Sequence, residues 1–137
     1  MSDKLMQKLT AMSIPKATTA TNSEEPDVVD DFGSFGWLRG VRERSLMLEL
    51  RKSNGNILAV GYGWLEKVGF DPSEGITLHL TGQKVRIRGR NLNTELRPLV
   101  RLFEGIVRHQ VPWIQEASPA AAMRAEKGET VVEAIEW

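Results

Sequence analysis

The segment that most constrains the fold is residues 76–90, with the sequence ITLHLTGQKVRIRGR. Apolar and polar residues alternate with a period of two on both sides of Gly82-Gln83, a pattern typical of two strands with one buried face each. A glycine in the first position of a two-residue loop favours a type II′ turn, so the pattern predicts a β-hairpin with Leu80 opposite Val85. The residues predicted to face the core are Leu78, Leu80, Val85 and Ile87.

The opposite face of this hairpin is cationic. Basic residues stand two apart along the second strand, so they point the same way, and no carboxylate stands between them. Guanidinium groups bind carboxylates and phosphates through paired N–H donors, which suits this face to an anionic partner. No aromatic residue lies on it for base stacking, so contact with nucleic acid is expected to involve the backbone. The predicted binding residues are His79, Lys84, Arg86, Arg88 and Arg90, together with Arg97 and Arg101 further along the chain.

Charge is distributed unevenly, although the net charge of the chain is zero. Residues 1–32 contain 3 basic and 6 acidic residues, residues 33–117 contain 13 and 8, and residues 118–137 contain 2 and 4. A cationic body between acidic tails favours an acidic protein surface or nucleic acid as the partner, and the tails can compete for the same face. A solvated exterior without any partner explains an excess of this size equally well.

Composition divides the chain into one domain and two tails. Residues 1–32 are poor in aromatics and rich in Ser, Thr, Ala and acids, which predicts a disordered acidic tail. Residues 33–117 are predicted to form a single β-rich domain. Residues 118–137 are predicted to form a short helix, because Ser118-Pro119 is a helix-start signal, followed by an acidic tail. The final nine residues fit a strand, a helical turn or a docking motif equally well.

A second hairpin is predicted around Asn54-Gly55, the dipeptide most typical of two-residue type I′ loops. With that loop, Leu50 lies opposite Ala59. Residues 57–62 are apolar at almost every position, so we expect this strand to be central or covered on both faces.

A helix over residues 95–109 is predicted to cover the sheet. The polar residues 91–94 can cap it, and Pro98 is compatible with its first turn. Apolar residues recur at helical spacing along the segment. The predicted contact stripe is Leu99, Leu102, Phe103 and Ile106.

Together these elements predict an α+β, mainly β fold. We expect a small, strongly bent antiparallel sheet or partly open barrel with two tight hairpins, packed by one C-terminal helix and flanked by flexible tails. This arrangement is similar in architecture to Sm-like and SH3-like barrels and to pleckstrin-homology-like half-barrels. The similarity is architectural, and it assigns no functional residue. Open strand edges would permit a homo-oligomer.

No catalytic or metal-binding motif is present in the sequence. The chain has no cysteine, and His79 and His109 have no partner at zinc-ligand spacing. Asp71 and Glu74 belong to the turn-forming segment DPSEG, so turn residues are a better interpretation than an acid–base pair. No secretory leader is evident, and no run approaches the ~20 apolar residues of a membrane span. We therefore expect a cytoplasmic, non-catalytic interaction module with no cofactor, metal or membrane association. A nucleic-acid-binding protein is the second hypothesis, and an enzyme with an unrecognised site is the third.

Overall fold

The structure, a computed structural model, describes residues 29–40 and 42–137. The chain divides into two units, Met1–Asp30 and Asp31–Trp137, and all but two of the described residues belong to the second unit. The tail predicted over residues 1–32 therefore lies outside the described residues, except for its last four positions.

Strands dominate the described residues, so the prediction of a mainly β fold is confirmed. Within the described residues, helical structure is limited to two short helices and one 3-10 turn, Tyr62–Trp64. The strands are β1 (Val29–Asp31), β2 (Gly36–Leu38), β3 (Met47–Arg51), β4 (Ile57–Gly61), β5 (Leu65–Asp71), β6 (Gly75–Leu80), β7 (Gln83–Arg90), β8 (Trp113–Gln115) and β9 (Val131–Glu136). The helices are α1 (Leu102–Val107) and α2 (Pro119–Arg124).

The strands from β3 onward form two sheets around one hydrophobic core. The first sheet has the order β9-β7-β6-β5 and is antiparallel throughout. The second has the order β8-β3-β4, in which β3 runs parallel to β8 and antiparallel to β4. No closed barrel forms within the described part of the chain. Fully buried side chains from both sheets belong to the same cluster, among them Leu48, Leu50, Ile76, Leu78, Val85, Ile87, Ile114 and Ile135.

The hairpin of β6 and β7 has the predicted faces but a different register. Leu80 pairs with Gln83 and not with Val85. The loop is Thr81-Gly82, and Gly82 has a φ of +80°, a left-handed conformation that glycine tolerates. The partner strand is thus shifted by two residues, and an even shift keeps each side chain on its predicted face. The buried set is Leu78, Leu80, Val85 and Ile87, as predicted.

The hairpin of β3 and β4 differs from the prediction in both register and face. The Gly55 N–H donates to the Lys52 carbonyl at 3.1 Å, and Gly55 has a φ of +98°. This geometry belongs to a three-residue loop with glycine in its left-handed position, not to a two-residue type I′ loop. Leu50 therefore lies opposite Leu58, and the shift of one residue turns Ala59 outward.

β4 is an edge strand among the described residues, and its outer face is uncovered, where a central or doubly covered strand was predicted. β4 pairs with β3 alone in its sheet. Ala59 is exposed, and the side chain of Ile57 is 59% exposed. The apolar residues on the outer face of β4 therefore remain in contact with solvent.

α1 is much shorter than the helix predicted over residues 95–109, because regular helix begins only after the proline. Pro98 disfavours helical backbone at the residue before it. Leu99, predicted to face the sheet, has a φ of +69° and is 78% exposed. The remaining helix does cover the sheet, since Phe103 packs against Phe70 of β5 with ring centres 6.0 Å apart.

The C-terminal residues form α2 and the edge strand β9. The Ser118 Oγ accepts a hydrogen bond from the Ala121 N–H at 3.1 Å, and Pro119 occupies the first turn, as the helix-start signal predicts. β9 pairs antiparallel with β7, with Val132 opposite Gly89. Of the three alternatives for the final residues, the strand is the one observed.

Candidate functional site

The outward face of the four-stranded sheet aligns one basic residue from each of three neighbouring strands. Lys67 on β5 lies opposite His79 on β6, and His79 lies opposite Lys84 on β7. Opposed residues of antiparallel strands project to the same face, with Cα atoms about 4.5–5.5 Å apart. Lys67 and Lys84 are exposed, and His79 is half-buried. These three residues are called the cationic row below.

The sequence pattern predicts two members of the cationic row, His79 and Lys84, but not Lys67. The missing information is the pairing of β5 with β6, because β5 has a register shift between Leu65 and Lys67 that interrupts its alternation. The sequence signal that could have placed Lys67 is the short alternating run after it, in which Val68 and Phe70 are apolar. Alternation within that run places Lys67 on the outer face once the strand is paired.

Two arginines of β7 pair with glutamates of β9. Arg88 Nε lies 3.4 Å from Glu136 Oε1, and Arg90 Nε lies 3.0 Å from Glu133 Oε2. Arg90 Nη2 also donates to the Ala122 carbonyl in α2. The expectation of a face without carboxylates is therefore wrong at this end of the hairpin, because β9 brings two of them alongside. Exposed pairs of this kind contribute only about 0–1 kcal/mol, so their main effect is to neutralise charge.

The turn before β6 supplies the partner of the remaining β7 arginine. Arg86 Nη1 lies 3.3 Å from Glu74 Oε1. In the same turn, Asp71 Oδ1 accepts hydrogen bonds from the Ser73 Oγ at 2.7 Å and from the Ser73 N–H at 2.8 Å. These two bonds hold the pKa of Asp71 below its ordinary value, and the bond from the Ser73 hydroxyl has the larger effect. Both carboxylates are thus engaged in a turn and an ion pair, in agreement with their interpretation as turn residues.

Arg97 and Arg101, the other two predicted binding residues, lie in the irregular segment before α1. The Arg97 guanidinium carbon is 4.9 Å from the centre of the Phe32 ring. Arg101 Nη2 is 3.5 Å from Glu95 Oε1. These contacts involve no residue of the cationic row, so the seven predicted residues do not form one continuous cluster through the contacts described.

A cavity of about 420 Å³ lies beside α2, and Glu116 forms part of its wall. Glu116 Oε1 accepts from the Ser53 N–H at 2.8 Å and the Ser53 Oγ at 2.9 Å, while Oε2 accepts from the Ile135 N–H at 2.7 Å. Ser34 also lines the cavity, and its buried Oγ has no hydrogen-bond partner among the described residues. Glu116 therefore joins the β3–β4 loop to β9 by internal hydrogen bonds.

Burial and hydrogen bonding act in opposite directions on Glu116. Burial alone would raise the pKa of its carboxyl group. The hydrogen bonds from Ser53 and Ile135, assisted by the positive charge of Lys52, outweigh burial and hold this pKa below its ordinary value of 4.5. Glu116 is accordingly a stable anion at neutral pH.

The second histidine of the chain has a packing role. The His109 ring stacks on the Tyr62 ring with centres 4.4 Å apart. The Tyr62 hydroxyl donates to the Val111 carbonyl at 2.6 Å, and burial raises the pKa of Tyr62. Within residues 29–40 and 42–137, no group of three or more His, Cys, Asp and Glu residues is arranged to hold a metal ion. No helix in the same ranges is long and apolar enough to span a membrane.

Comparisons of the chain with models of protein families, with curated proteins and with solved structures found no match.

Proposed function

We propose that this protein is a non-catalytic interaction module that binds an acidic protein surface through the cationic row and the neighbouring Arg86. The observation that carries the proposal is the alignment of Lys67, His79 and Lys84 across three strands. A rigid sheet fixes the spacing of these groups, so a partner with a matching line of carboxylates meets them without a large loss of conformational freedom.

The cationic row differs from the arginines at the other end of the hairpin in its ion pairing. Within the described part of the chain, neither Lys67 nor Lys84 lies within 4.0 Å of a carboxylate, whereas Arg88 and Arg90 do. Lysine ammonium groups that are exposed and unpaired can exchange water for a partner's carboxylate at little cost. The loop end of the hairpin is therefore the favoured contact surface.

We propose that the two sheets together act as one strongly bent sheet or a partly open barrel against which α1 packs, and that the protein functions in the cytoplasm. Nucleic acid is a less favoured partner, because among the described residues no aromatic side chain is the cross-strand partner of Lys67, His79 or Lys84 and could stack on bases there. Backbone phosphates are the remaining means of nucleic-acid recognition, and such binding weakens steeply with salt.

The test is a charge reversal of the cationic row in the full chain. The variant K67E/K84E should lose proteins that the unaltered chain retains in a pull-down, while circular dichroism remains unchanged because both side chains are exposed. Lys127→Glu is the control, since Lys127 is exposed in the turn after α2. Recovery of the same partners by K67E/K84E would refute the proposal.

A parallel titration distinguishes the two classes of partner. Binding of the full chain to RNA, single-stranded DNA and double-stranded DNA is measured by fluorescence anisotropy at increasing salt. The proposal predicts no binding to nucleic acid at physiological salt. Tight binding that K67E/K84E abolishes would instead establish nucleic acid as the partner.

A further inference from the structure

The edge strand β4 presents a row of unused backbone groups. The Lys52 N–H donates to Asn56 and the Tyr62 N–H donates to Leu46, which fixes the alternation of hydrogen-bonded rungs between β3 and β4. Leu58 and Val60 therefore bond to β3, and every second residue of β4 directs its N–H and C=O outward. The outward set is Ile57, Ala59 and the N–H of Gly61, whose C=O accepts the first hydrogen bond of the 3-10 turn Tyr62–Trp64. Among the described residues, no strand pairs with this side of β4.

The sequence around β4 lacks the charges that usually protect an open edge. Residues 53–65 contain no Asp, Glu, Lys or Arg, a run of thirteen residues. By contrast, the edge strand β5 carries Glu66 and Lys67, and the edge strand β9 carries Glu133 and Glu136. Charged residues on an edge oppose pairing with another chain, and an uncharged apolar edge permits it.

The outer face beside β4 is also apolar. Trp64 is 63% exposed, Ile57 is 59% exposed and Met47 is 47% exposed. The Trp64 ring and the Met47 sulfur both lie over Gly61, within 4 Å of the position that a Cβ would occupy. The edge and this face together form a surface that can hydrogen-bond through its backbone and bury apolar side chains.

We propose that β4 pairs antiparallel with β4 of a second copy of this chain, about a two-fold axis at Ala59. Ala59 then lies opposite Ala59 of the partner, and Ile57 lies opposite Gly61 of the partner. The large side chain of each Ile57 faces the residue with no side chain and meets the exposed ring of Trp64. About four new ladder hydrogen bonds form, two between the facing Ala59 residues and one from each Gly61 N–H to the Ile57 carbonyl of the other copy.

A second copy fits this edge better than a foreign peptide, for reasons of size and charge. The outward residues are self-complementary, since the apolar Ile57 meets the Trp64 ring that lies over Gly61 of the other copy and the small Ala59 meets itself. No charge in residues 53–65 repels an identical strand or selects an oppositely charged one. The pairing would join two three-stranded sheets into one continuous sheet. It involves no residue of the cationic row, so it is independent of the proposed function.

The test uses charges placed at the two-fold axis. Ala59→Lys and Ala59→Glu each put two like charges directly opposite one another, which should raise the dimer dissociation constant about tenfold or more. Analytical ultracentrifugation of the unaltered full chain should show twice the chain mass, and each variant alone should show the monomer. An equimolar mixture of the two variants should restore the dimer, because Lys then faces Glu.

Controls separate this edge from a general effect of charge. Met123→Lys adds the same charge at a site on α2 that is 87% exposed, and it should leave the dimer intact. Ile57→Lys is a second edge variant, also at an exposed position, and it should give a monomer with unchanged circular dichroism. A monomeric unaltered chain, or a dimer that persists in both Ala59 variants, would overturn the proposal.

Discussion

At the scale of single residues, two glycines set how closely neighbouring strands approach β7. A Cβ on Gly89 would collide with the Val131 carbonyl of β9, and a Cβ on Gly75 would collide with the Ile87 carbonyl of β7. Gly75 also has a φ of +101°, whereas the backbone of Gly89 is not in the left-handed region. At Gly89 the requirement for glycine is therefore one of space alone.

This requirement predicts that Gly89→Ala destabilises the domain. The added methyl group must push β9 away from β7 or distort the bulge in their pairing, and overpacking of this kind costs about 1–3 kcal/mol. The measurement is the free energy of unfolding from urea titrations. Gly69→Ala is the control, because a Cβ at Gly69 in the same sheet meets nothing within 4 Å. Equal stability of the two variants would contradict the steric explanation.

At the scale of elements, alternation predicted the faces of β6 and β7 correctly although the loop assignment was wrong. The face of a residue such as Leu78 depends only on the parity of its position, while its partner depends on loop geometry. In the hairpin of β3 and β4, the wrong loop assignment shifted the pairing by one residue, so the predicted faces of β4 were reversed. Asn54-Gly55 suits both a two-residue type I′ loop and a three-residue loop with Gly55 in the left-handed position, so the dipeptide alone does not determine which side of β4 is buried.

The start of α1 and the make-up of the cationic row also depend on features that local sequence patterns do not determine. Local spacing predicted that Leu102 and Ile106 face the core, and both are buried. The start of the helix depended on a turn that Leu99 makes with positive φ, which apolar periodicity does not encode. The row depended on the pairing of β5 with β6, a contact between strands that no local pattern specifies.

Glu116 is the element-scale link that should make stability depend on pH. A carboxyl group whose pKa is lower in the folded state contributes stability that is fully present above its unfolded pKa, near 4.5, and is lost as pH falls through the folded value. We expect the urea midpoint to fall below about pH 4.5, and the lowered pKa of Asp71 acts in the same direction.

The variant Glu116→Gln isolates this contribution. It should lower stability at pH 7 by about 1–2 kcal/mol, because an amide cannot accept from both Ser53 and Ile135. Its stability should also vary less between pH 5 and pH 3 than that of the unaltered chain, because the amide does not titrate. Glu126→Gln serves as the comparison, since Glu126 is exposed. Parallel pH profiles for the unaltered chain and Glu116→Gln would exclude this role.

At the scale of the whole molecule, the acidic C-terminal segment offsets part of the basic charge of the preceding residues. The charge distribution of the sequence predicts that an acidic tail can compete for the cationic face, and in the structure Glu133 and Glu136 pair with Arg90 and Arg88. The charges were readable from the sequence. Their positions were not, because they follow from the long-range pairing of β9 with β7.

Removal of these two glutamates should increase affinity for a polyanion. E133Q/E136Q leaves Arg88 and Arg90 unpaired, so the variant should elute from a heparin column at higher salt than the unaltered chain. The fold should be retained, because each exposed pair contributes at most about 1 kcal/mol. E43Q/E126Q makes the same change in net charge at exposed sites in other loops. Equal elution of the two double variants would show that only net charge matters.

The position of β9 also has a consequence for the order of assembly during synthesis. β7 needs a neighbour on each side, and its second neighbour follows only after residues 91–130 have been added to the chain. Until then the nascent domain exposes β7 as an edge, a state in which unfinished sheets are prone to aggregate. Arg88 and Arg90 are not yet neutralised during this interval, and their mutual repulsion opposes association between nascent chains. The arginines that the finished sheet neutralises thus protect it while it is incomplete.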